Sequence, residues 1–123
     1  MKREDVRSSI AAGLLLAVGI LPAPAVEETI FRGYLYPVLA RTLGVEGGVL
    51  TTGLLFGMMH AHQLWGGWVQ IALLVFVGIV LTYARARTGT VLTSWLLHLG
   101  YNTFLFVGFV ISTGGLRHLP PVS

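Results

Sequence analysis

The sequence predicts an all-α membrane protein, a multi-spanning bundle of about five transmembrane helices, and two observations support this. Hydrophobic residues make up 54% of the 123 residues and charged residues only 11%, with a mean hydropathy of +0.79. A soluble domain of this size needs more charge to cover its surface. The apolar residues also form successive runs separated by short segments with proline, glycine or charge, as expected for helices that cross a bilayer.

The first two helices are separated by prolines. An apolar run from Ile10 to Leu21 follows a charged start and predicts the first helix. A secretory signal peptide has a similar pattern, but here the charged start contains acidic residues and no polar mature domain follows. Pro22 ends this helix, and the second helix is expected from Pro24 to Leu43, closing near Gly44.

Three further helices are expected after Gly44. The third is rich in glycine and threonine, small residues that allow close packing between membrane helices. The fifth has roughly the 20 residues that a hydrocarbon core requires. An interfacial loop precedes the fourth, because indole side chains prefer the membrane surface. The expected ranges are Glu46–Ala61 for the third helix, His62–Trp68 for the loop, Val69–Tyr83 for the fourth helix, Thr90–Ile111 for the fifth, and 112–123 for a polar tail.

The charge distribution indicates a bilayer rather than nucleic acid as the partner. The net charge is +3, but the basic residues are scattered among loops and helix ends, with no basic stripe. With a cytoplasmic N-terminus and five crossings, Arg117 is the one basic residue outside the helices that falls on the outer side. We therefore expect a multi-pass protein of the cell membrane. The sequence has no cysteine, so disulfides, thiolate zinc sites and cysteine nucleophiles are excluded.

The second helix carries Glu27, Glu28 and Arg32 within an apolar sequence. An ionised side chain inside a bilayer costs at least roughly 2.5–3.5 kcal/mol, so such residues are functional or paired. Glu28 and Arg32 are four residues apart, which places them about 5–6 Å from each other on one helix face and predicts an ion pair. Glu27 points about 100° away and has no partner in its own helix. It is either part of a structural ion-pair cluster or a general base for water.

The other polar groups in apolar helices are His60, His98 and Asn102. Lipid offers them no hydrogen-bond partner, so they are expected to meet Glu27 inside a bundle. His98 and Asn102 share one helix face, where they serve either as links between helices or as two donors to an oxyanion. His60 is either an interfacial side chain or part of the same site. His62 is expected at the interface, because residues two apart diverge on a helix.

Metal binding is an alternative use of the same side chains. His60, His98 and Glu27 would form a set of two histidines and one carboxylate, as in catalytic zinc sites. The close-spaced HExxH pattern is absent, and the candidate ligands come from separate helices. The sequence leaves both interpretations open.

Three motifs in order, Glu27-Glu28-x-x-x-Arg32, Phe56-x-x-x-His60 and His98-x-x-x-Asn102, resemble those of the CPBP family. That family comprises the CAAX prenyl endopeptidases of the Ras-converting type and many prokaryotic relatives, some linked to bacteriocin processing or self-immunity. The resemblance implies a single domain over residues 1–123, with the motifs within 22–106. Members usually have additional spans before the first motif, so the chain is expected to be a truncated or minimal version.

The resemblance also implies an activity, that of an intramembrane endopeptidase acting on a peptide or protein substrate. Glu27 and His60 would activate a water, His98 and Asn102 would stabilise the oxyanion, and the ion pair would hold the geometry. The family has been described both with and without a metal. We expect no cofactor, with zinc as the alternative.

Two other functions fit the same polar cluster. The chain could be a non-catalytic immunity or scaffold relative that keeps the cluster as a link between helices. It could also be a small proton-coupled transporter subunit in which buried glutamate and histidine relay protons. The lack of paired repeats with half-helices argues against the transporter.

Overall fold

The computed structural model describes residues 2–20, 22–115 and 117–118, which are helical apart from short turns and contain no strand. The all-α prediction is therefore confirmed. Leu21 and half of the predicted tail (residues 116 and 119–123) lie outside the described residues. The helical elements in chain order are α1 (Arg3–Ile20), α2 (Pro22–Glu28), a π-helical segment (Thr29–Leu35), α3 (Tyr36–Met59), α4 (Trp68–Thr88) and α5 (Val91–Ser112).

The chain divides into two compact units. The central unit comprises Ala25–His98 and contains most of the residues that the motifs single out. The terminal unit comprises the described residues up to Pro24 and those from Leu99 onward. Within the terminal unit, α1 begins at Arg3, earlier than predicted, and Glu4 and Asp5 lie in its first turn. Carboxylates there interact favourably with the helix dipole, which explains the longer helix.

Among the described residues, three helical runs are long and apolar enough to cross a bilayer: Ala23–Met59, Trp68–Thr88 and Val91–Ser112. At most 33% of the apolar window of each run is buried, so large apolar side chains remain exposed along these helices. Soluble monomers rarely expose so much contiguous apolar surface. The chain is therefore a membrane protein, while the expected count of about five crossings is not confirmed.

The first of these runs changes direction at Gly44. Its backbone has φ 77° and ψ 173°, a conformation that glycine adopts without the penalty that a Cβ atom brings. Helical hydrogen bonding cannot continue unchanged through such a residue. The predicted boundary near Gly44 is therefore present as a break in helical geometry inside α3.

The π-helical segment has a local cause in Pro37. Proline lacks an amide hydrogen and its ring crowds the preceding turn of a helix. Just before it, the Tyr36 N–H donates to the Phe31 carbonyl, five residues back. In the same register the Arg32 carbonyl would accept from residue 37, which has no N–H to give. The side chain of Arg85 on α4 supplies the donor instead, with Nε 3.2 Å from that carbonyl.

Helices α3 and α4 pack backbone to backbone through glycines. A Cβ atom on Gly53 would lie 2.7 Å from the backbone nitrogen of Ile79, and one on Gly57 would lie 2.9 Å from that of Val75. A Cβ on Gly78 would lie 2.9 Å from the Gly53 carbonyl oxygen. Small residues allow this close approach, which gives membrane helices their van der Waals contact. The pair α3 and α4 forms the platform on which the polar residues are held.

Candidate active site

Arg32 is completely buried and every nitrogen of its guanidinium has an acceptor. Nη1 donates to Oε1 of Glu28 at 2.9 Å, and Nη2 donates to the Gly78 carbonyl at 2.9 Å. Nε donates to Oγ1 of Thr82 at 3.2 Å. The guanidinium carbon lies 4.6 Å from the centre of the Phe56 ring, a cation–π distance. The planar arginine therefore ties the middle of the π-helical segment to α4.

Glu28 holds a second partner at the same oxygen. The Nδ1 atom of His98 lies 2.8 Å from Oε1 of Glu28. Because this oxygen also accepts from Arg32, we assign the hydrogen of the His98–Glu28 hydrogen bond to Nδ1 of the imidazole, which is the donor. His98 is 4% exposed, and the Phe56 ring packs edge-on against it with centroids 5.8 Å apart. Glu28 thus fixes the orientation of a histidine on α5.

Glu27 lies between two histidines. Its Oε2 is 3.5 Å from Nε2 of His98, and its Oε1 is 3.8 Å from Nε2 of His60. Both separations are longer than a good direct hydrogen bond, and polar groups this far apart are commonly bridged by water. The Glu27 side chain is 26% exposed. The part-exposed carboxylate of Glu27 is therefore held near one ring nitrogen of each histidine.

The other nitrogen of each ring is already engaged. In His60, Nδ1 donates to the Phe56 carbonyl at 2.9 Å, as Nδ1 of His98 donates to Glu28. In a neutral ring this leaves Nε2 as an acceptor facing Glu27, and in a protonated ring Nε2 becomes a second donor. Each Nε2 atom can therefore accept a hydrogen bond from a water when its ring is neutral, and can donate one to an oxygen when its ring is protonated.

His60 directly follows α3, outside the apolar spans. Its interaction with the Glu27 carboxylate raises the pKa of His60, partial burial lowers it, and the hydrogen bond to the Phe56 carbonyl adds to the rise. The net effect is a pKa above its ordinary value. The imidazolium of His60 therefore persists to a higher pH than that of a free histidine, because the carboxylate stabilises it.

The structure brings five of the predicted residues into one connected cluster in the central unit: Glu27, Glu28, Arg32, His60 and His98. Asn102 lies four residues beyond His98 on α5, in the terminal unit, and its role as an oxyanion donor stays a prediction. His62 is exposed in the turn that follows α3.

Within the described part of the chain, no group of three or more histidine, aspartate or glutamate side chains is arranged to hold a metal ion. Zinc on Glu27, His60 and His98 was the alternative interpretation of the sequence. It stays an untested prediction, and none of the steps below depends on it.

Sequence reasoning did not assign roles to Gly78 and Thr82, whose oxygens both accept from Arg32. Thr82 also donates to the Gly78 carbonyl at 2.7 Å, the common bond of a threonine to the residue four before it. A glycine and a threonine four apart in an apolar helix were the available signal. That they face Arg32 depends on how α4 packs.

These features define a class: a helical membrane protein in which a buried and a part-exposed carboxylate, a buried arginine and two histidines join in one polar site. The sequence profile of the type II CAAX prenyl endopeptidase Rce1-like family matches residues 9–104. The chain therefore belongs to the Rce1-like family, which confirms the family that the three motifs resemble.

A relative from Escherichia coli, described as an uncharacterized 24.3 kDa protein, is 38% identical over 93 residues. The alignment covers 72% of this chain and 41% of that protein, so the chain spans about two fifths of its relative. No solved structure matches the chain.

Proposed function

We propose that the protein is an intramembrane endopeptidase that hydrolyses a peptide bond with a water activated by Glu27 and His60. The observation that carries this proposal is the position of the Glu27 carboxylate, 3.5 Å and 3.8 Å from the Nε2 atoms of two histidines whose Nδ1 atoms are already bound. A water held there has a carboxylate to take its proton and ring nitrogens to orient it. Membership of an endopeptidase family supports the same chemistry.

In the proposed reaction Glu27 accepts a proton from water as the oxygen attacks the carbonyl carbon of the substrate. The carbonyl oxygen becomes an oxyanion, which accepts hydrogen bonds from His98 and Asn102. Collapse of the tetrahedral intermediate breaks the C–N bond, and the proton passes to the leaving amine. The products are a carboxylate and an amine, and no covalent enzyme intermediate forms.

In the proposal, the buried ion pair of Glu28 and Arg32 fixes the orientation of His98. Because Nδ1 of His98 is bound to Glu28, the ring donates to an oxyanion from Nε2 only when it is protonated. In the proposal Glu28 orients the His98 ring, and Arg32 keeps Glu28 in place. In the proposal Glu28 and Arg32 are positioning residues, and the reacting atoms meet Glu27, His60, His98 and Asn102.

The substrate in this proposal is a peptide or protein segment at the membrane, and the enzyme is a multi-pass protein of the cell membrane. Three apolar helical runs in the described part of the chain support that location. Only the description of the family suggests prenylated CAAX peptides as substrates, so the test library includes such a peptide as one of its members.

The test is cleavage of a quenched peptide library by the purified chain in detergent. We expect the variants Glu27→Gln, His60→Gln and His98→Gln to lose at least about 100-fold in kcat/KM, since general-base catalysis and oxyanion stabilisation each supply roughly 10²–10⁴-fold. Glu46→Gln and His62→Gln are matched controls, because these side chains are exposed and outside the cluster. Both controls should retain wild-type activity.

The remaining arms of the experiment separate the alternatives. Unchanged cleavage with a chelator would support a water activated without metal, and loss that zinc restores would support the zinc site. If folded wild-type protein cleaves nothing and Glu27→Gln keeps the biological effect, the non-catalytic scaffold is supported instead. Proton flux into liposomes that Glu27→Gln abolishes would support the transporter.

A further inference from the structure

The last turn of α4, in the central unit, carries two arginines with different surroundings, Arg85 and Arg87. Arg85 is half-buried, with its Nε 3.2 Å from the Arg32 carbonyl and its guanidinium carbon 5.8 Å from the centre of the Tyr36 ring. Arg87 is exposed, and its guanidinium carbon lies 5.7 Å from the ring centre of Tyr83. The first guanidinium is therefore held against the π-helical segment, and the second is not.

The two terminal nitrogens of Arg85, Nη1 and Nη2, are available to a ligand. Within the described part of the chain, neither donates to an acceptor, neither pairs with a carboxylate, and neither is fully buried. The planar guanidinium presents these two nitrogens as a parallel pair, a geometry that matches two oxygens of one phosphate group. Arg85 thus offers a forked donor whose third nitrogen is already bound to the protein.

The position of Arg85 along α4 indicates the surroundings that this donor meets. Arg85 lies 17 residues beyond Trp68, which is about 25 Å along an α-helix. The exposed indole of Trp68 favours one membrane interface, and the hydrocarbon core is about 30 Å thick. A long arginine side chain extends its charged end toward water. The guanidinium of Arg85 is therefore at the level of the lipid phosphates on the opposite surface.

The net charge at this end of the central unit favours an anionic lipid. The glycine contacts between α3 and α4 show that the two helices run antiparallel, so residues just after Gly44 lie level with the last turn of α4. Arg41 and Glu46 flank Gly44 and are exposed, which gives this end three arginines and one glutamate. Basic residues at a membrane surface attract anionic headgroups, whereas the ammonium of a zwitterionic headgroup would be repelled.

We propose that Arg85 binds the phosphate of an anionic phospholipid through Nη1 and Nη2, while its Nε keeps the Arg32 carbonyl. The bound headgroup holds the π-helical segment against α4, because both edges of the guanidinium then have partners. The side chain of Arg32 binds Glu28, so one residue connects the lipid to the buried ion pair. Lipid binding does not require peptide cleavage, so this inference is independent of the proposed function.

The binding test titrates phosphatidylglycerol into the purified protein in neutral detergent and counts bound lipids by native mass spectrometry. Arg85→Gln should bind this lipid at least about 5-fold more weakly than wild type, since it loses a charge-assisted pair of hydrogen bonds. Phosphatidylcholine is the zwitterionic comparison and should bind wild type more weakly. Equal affinity of wild type for the two lipids would overturn the proposal.

Arg87→Gln is the matched control for the loss of charge. It removes the same charge from the same turn of α4, but from an exposed side chain outside the π-helical contact. Because an exposed charge contributes little, this variant should bind phosphatidylglycerol within about 2-fold of wild type. Equal losses in Arg85→Gln and Arg87→Gln would mean that the lipid responds to net charge alone, and the proposed site would be wrong.

Hydrogen exchange tests the link to the π-helical segment. Phosphatidylglycerol should slow the exchange of backbone amides in residues 29–36 of wild type and of Arg87→Gln, because the bound lipid holds Arg85 on the Arg32 carbonyl. The same lipid should leave exchange in Arg85→Gln unchanged. Equal slowing in Arg85→Gln would overturn the proposal.

Two further arms make the result decisive. Arg85→Lys keeps the charge and lacks the paired donors, so it should bind the lipid at least about 2-fold more weakly than wild type. This variant decides the question if Arg85→Gln does not fold, and wild-type affinity in it would refute the forked contact. Excess inorganic phosphate should leave lipid binding unchanged, since acyl chains hold the headgroup at this depth. Displacement of the lipid by phosphate would assign the site to the free anion and overturn the proposal.

Discussion

At the scale of single residues, one oxygen atom organises the candidate site. Oε1 of Glu28 accepts from Arg32 at 2.9 Å and from His98 at 2.8 Å. Two donors at one buried oxygen fix the position and orientation of the carboxylate. Glu27, one residue earlier, has no such fixed partners and is partly exposed. Two adjacent carboxylates therefore have different environments, one suited to holding structure and the other to exchanging a proton.

The partly exposed Glu27 carboxylate lies next to His60, so we expect a change at Glu27 to alter the pKa of His60. The Glu27 carboxylate raises the pKa of His60, so Glu27→Gln should lower it, and the imidazolium should lose its proton at a lower pH than in wild type. NMR titration of the His60 ring in detergent micelles measures the shift directly. His62 is exposed two residues away and outside the cluster, so its ring is the internal control. An unchanged His60 pKa in Glu27→Gln would contradict the assignment.

At the scale of elements, the π-helical segment joins α2 to α3 where Pro37 interrupts the hydrogen-bond pattern. π-Helical turns are uncommon and often lie at functional sites. Here the segment carries Arg32, whose side chain enters the buried network while its carbonyl is bound by Arg85. Arg85 also lies 5.8 Å from the ring centre of Tyr36. Residues of α4 therefore bind both the side chain and the main-chain carbonyl of Arg32 in this segment.

A double-mutant cycle tests this explanation. Arg85→Met should lower the free energy of unfolding by about 1 kcal/mol, since it leaves a part-buried carbonyl without a donor. In a Pro37→Ala background the loss should be smaller, because residue 37 then has an N–H for the Arg32 carbonyl. Unfolding in mixed detergent micelles gives the four stabilities, and equal losses in both backgrounds would refute the proposed cause.

The contact between α3 and α4 gives a second prediction at this scale. Gly57→Val should destabilise the protein by roughly 1–3 kcal/mol, because the new side chain meets the backbone of Val75 and overpacks the contact. Gly108→Val is the control, since a Cβ there has nothing within 4 Å. Thermal unfolding in detergent compares the two. Similar stabilities would show that close approach of the helices does not depend on Gly57.

At the scale of the whole molecule, apolar side chains are exposed along all three candidate spans. Trp65 in the turn before α4 and Trp68, the first residue of α4, pack edge to face at 4.9 Å and are mostly exposed. Indoles favour the membrane–water interface. At the other end of α4 lie Arg85 and Arg87. The helix therefore has an aromatic end and a basic end, as a membrane span does.

Cysteine labelling tests the crossing of α4, because the native sequence has no cysteine. Gln63→Cys and Thr90→Cys place thiols just beyond the two ends of α4, at exposed positions. In intact cells an impermeant maleimide should label Gln63→Cys and spare Thr90→Cys, since basic residues favour the cytoplasmic side. The opposite pattern would invert the orientation, and labelling of both thiols would mean that α4 does not cross the membrane.

Local patterns along the chain carried much of the architecture. The apolar runs predicted both ends of α5 and the start of α4 to within one residue, but placed the end of α4 at Tyr83 instead of Thr88. The loop around Trp65 was predicted from its glycines and indoles. The break at Gly44 followed from glycine's conformational freedom, and the Glu28–Arg32 pair followed from helical spacing. Each of these depends on residues within about one turn of one another, so composition and spacing are sufficient to predict them.

Other features depended on how helices far apart in sequence pack together. Helical spacing predicted that Glu28 pairs with Arg32 and that the histidines meet Glu27. In the fold, His98 also binds Glu28, which is 70 positions away in sequence. The acceptors that Gly78 and Thr82 offer to Arg32 have no local signature in the sequence. A buried polar group takes the partner that packing brings within 3 Å, and that distance is decided only when the helices are assembled.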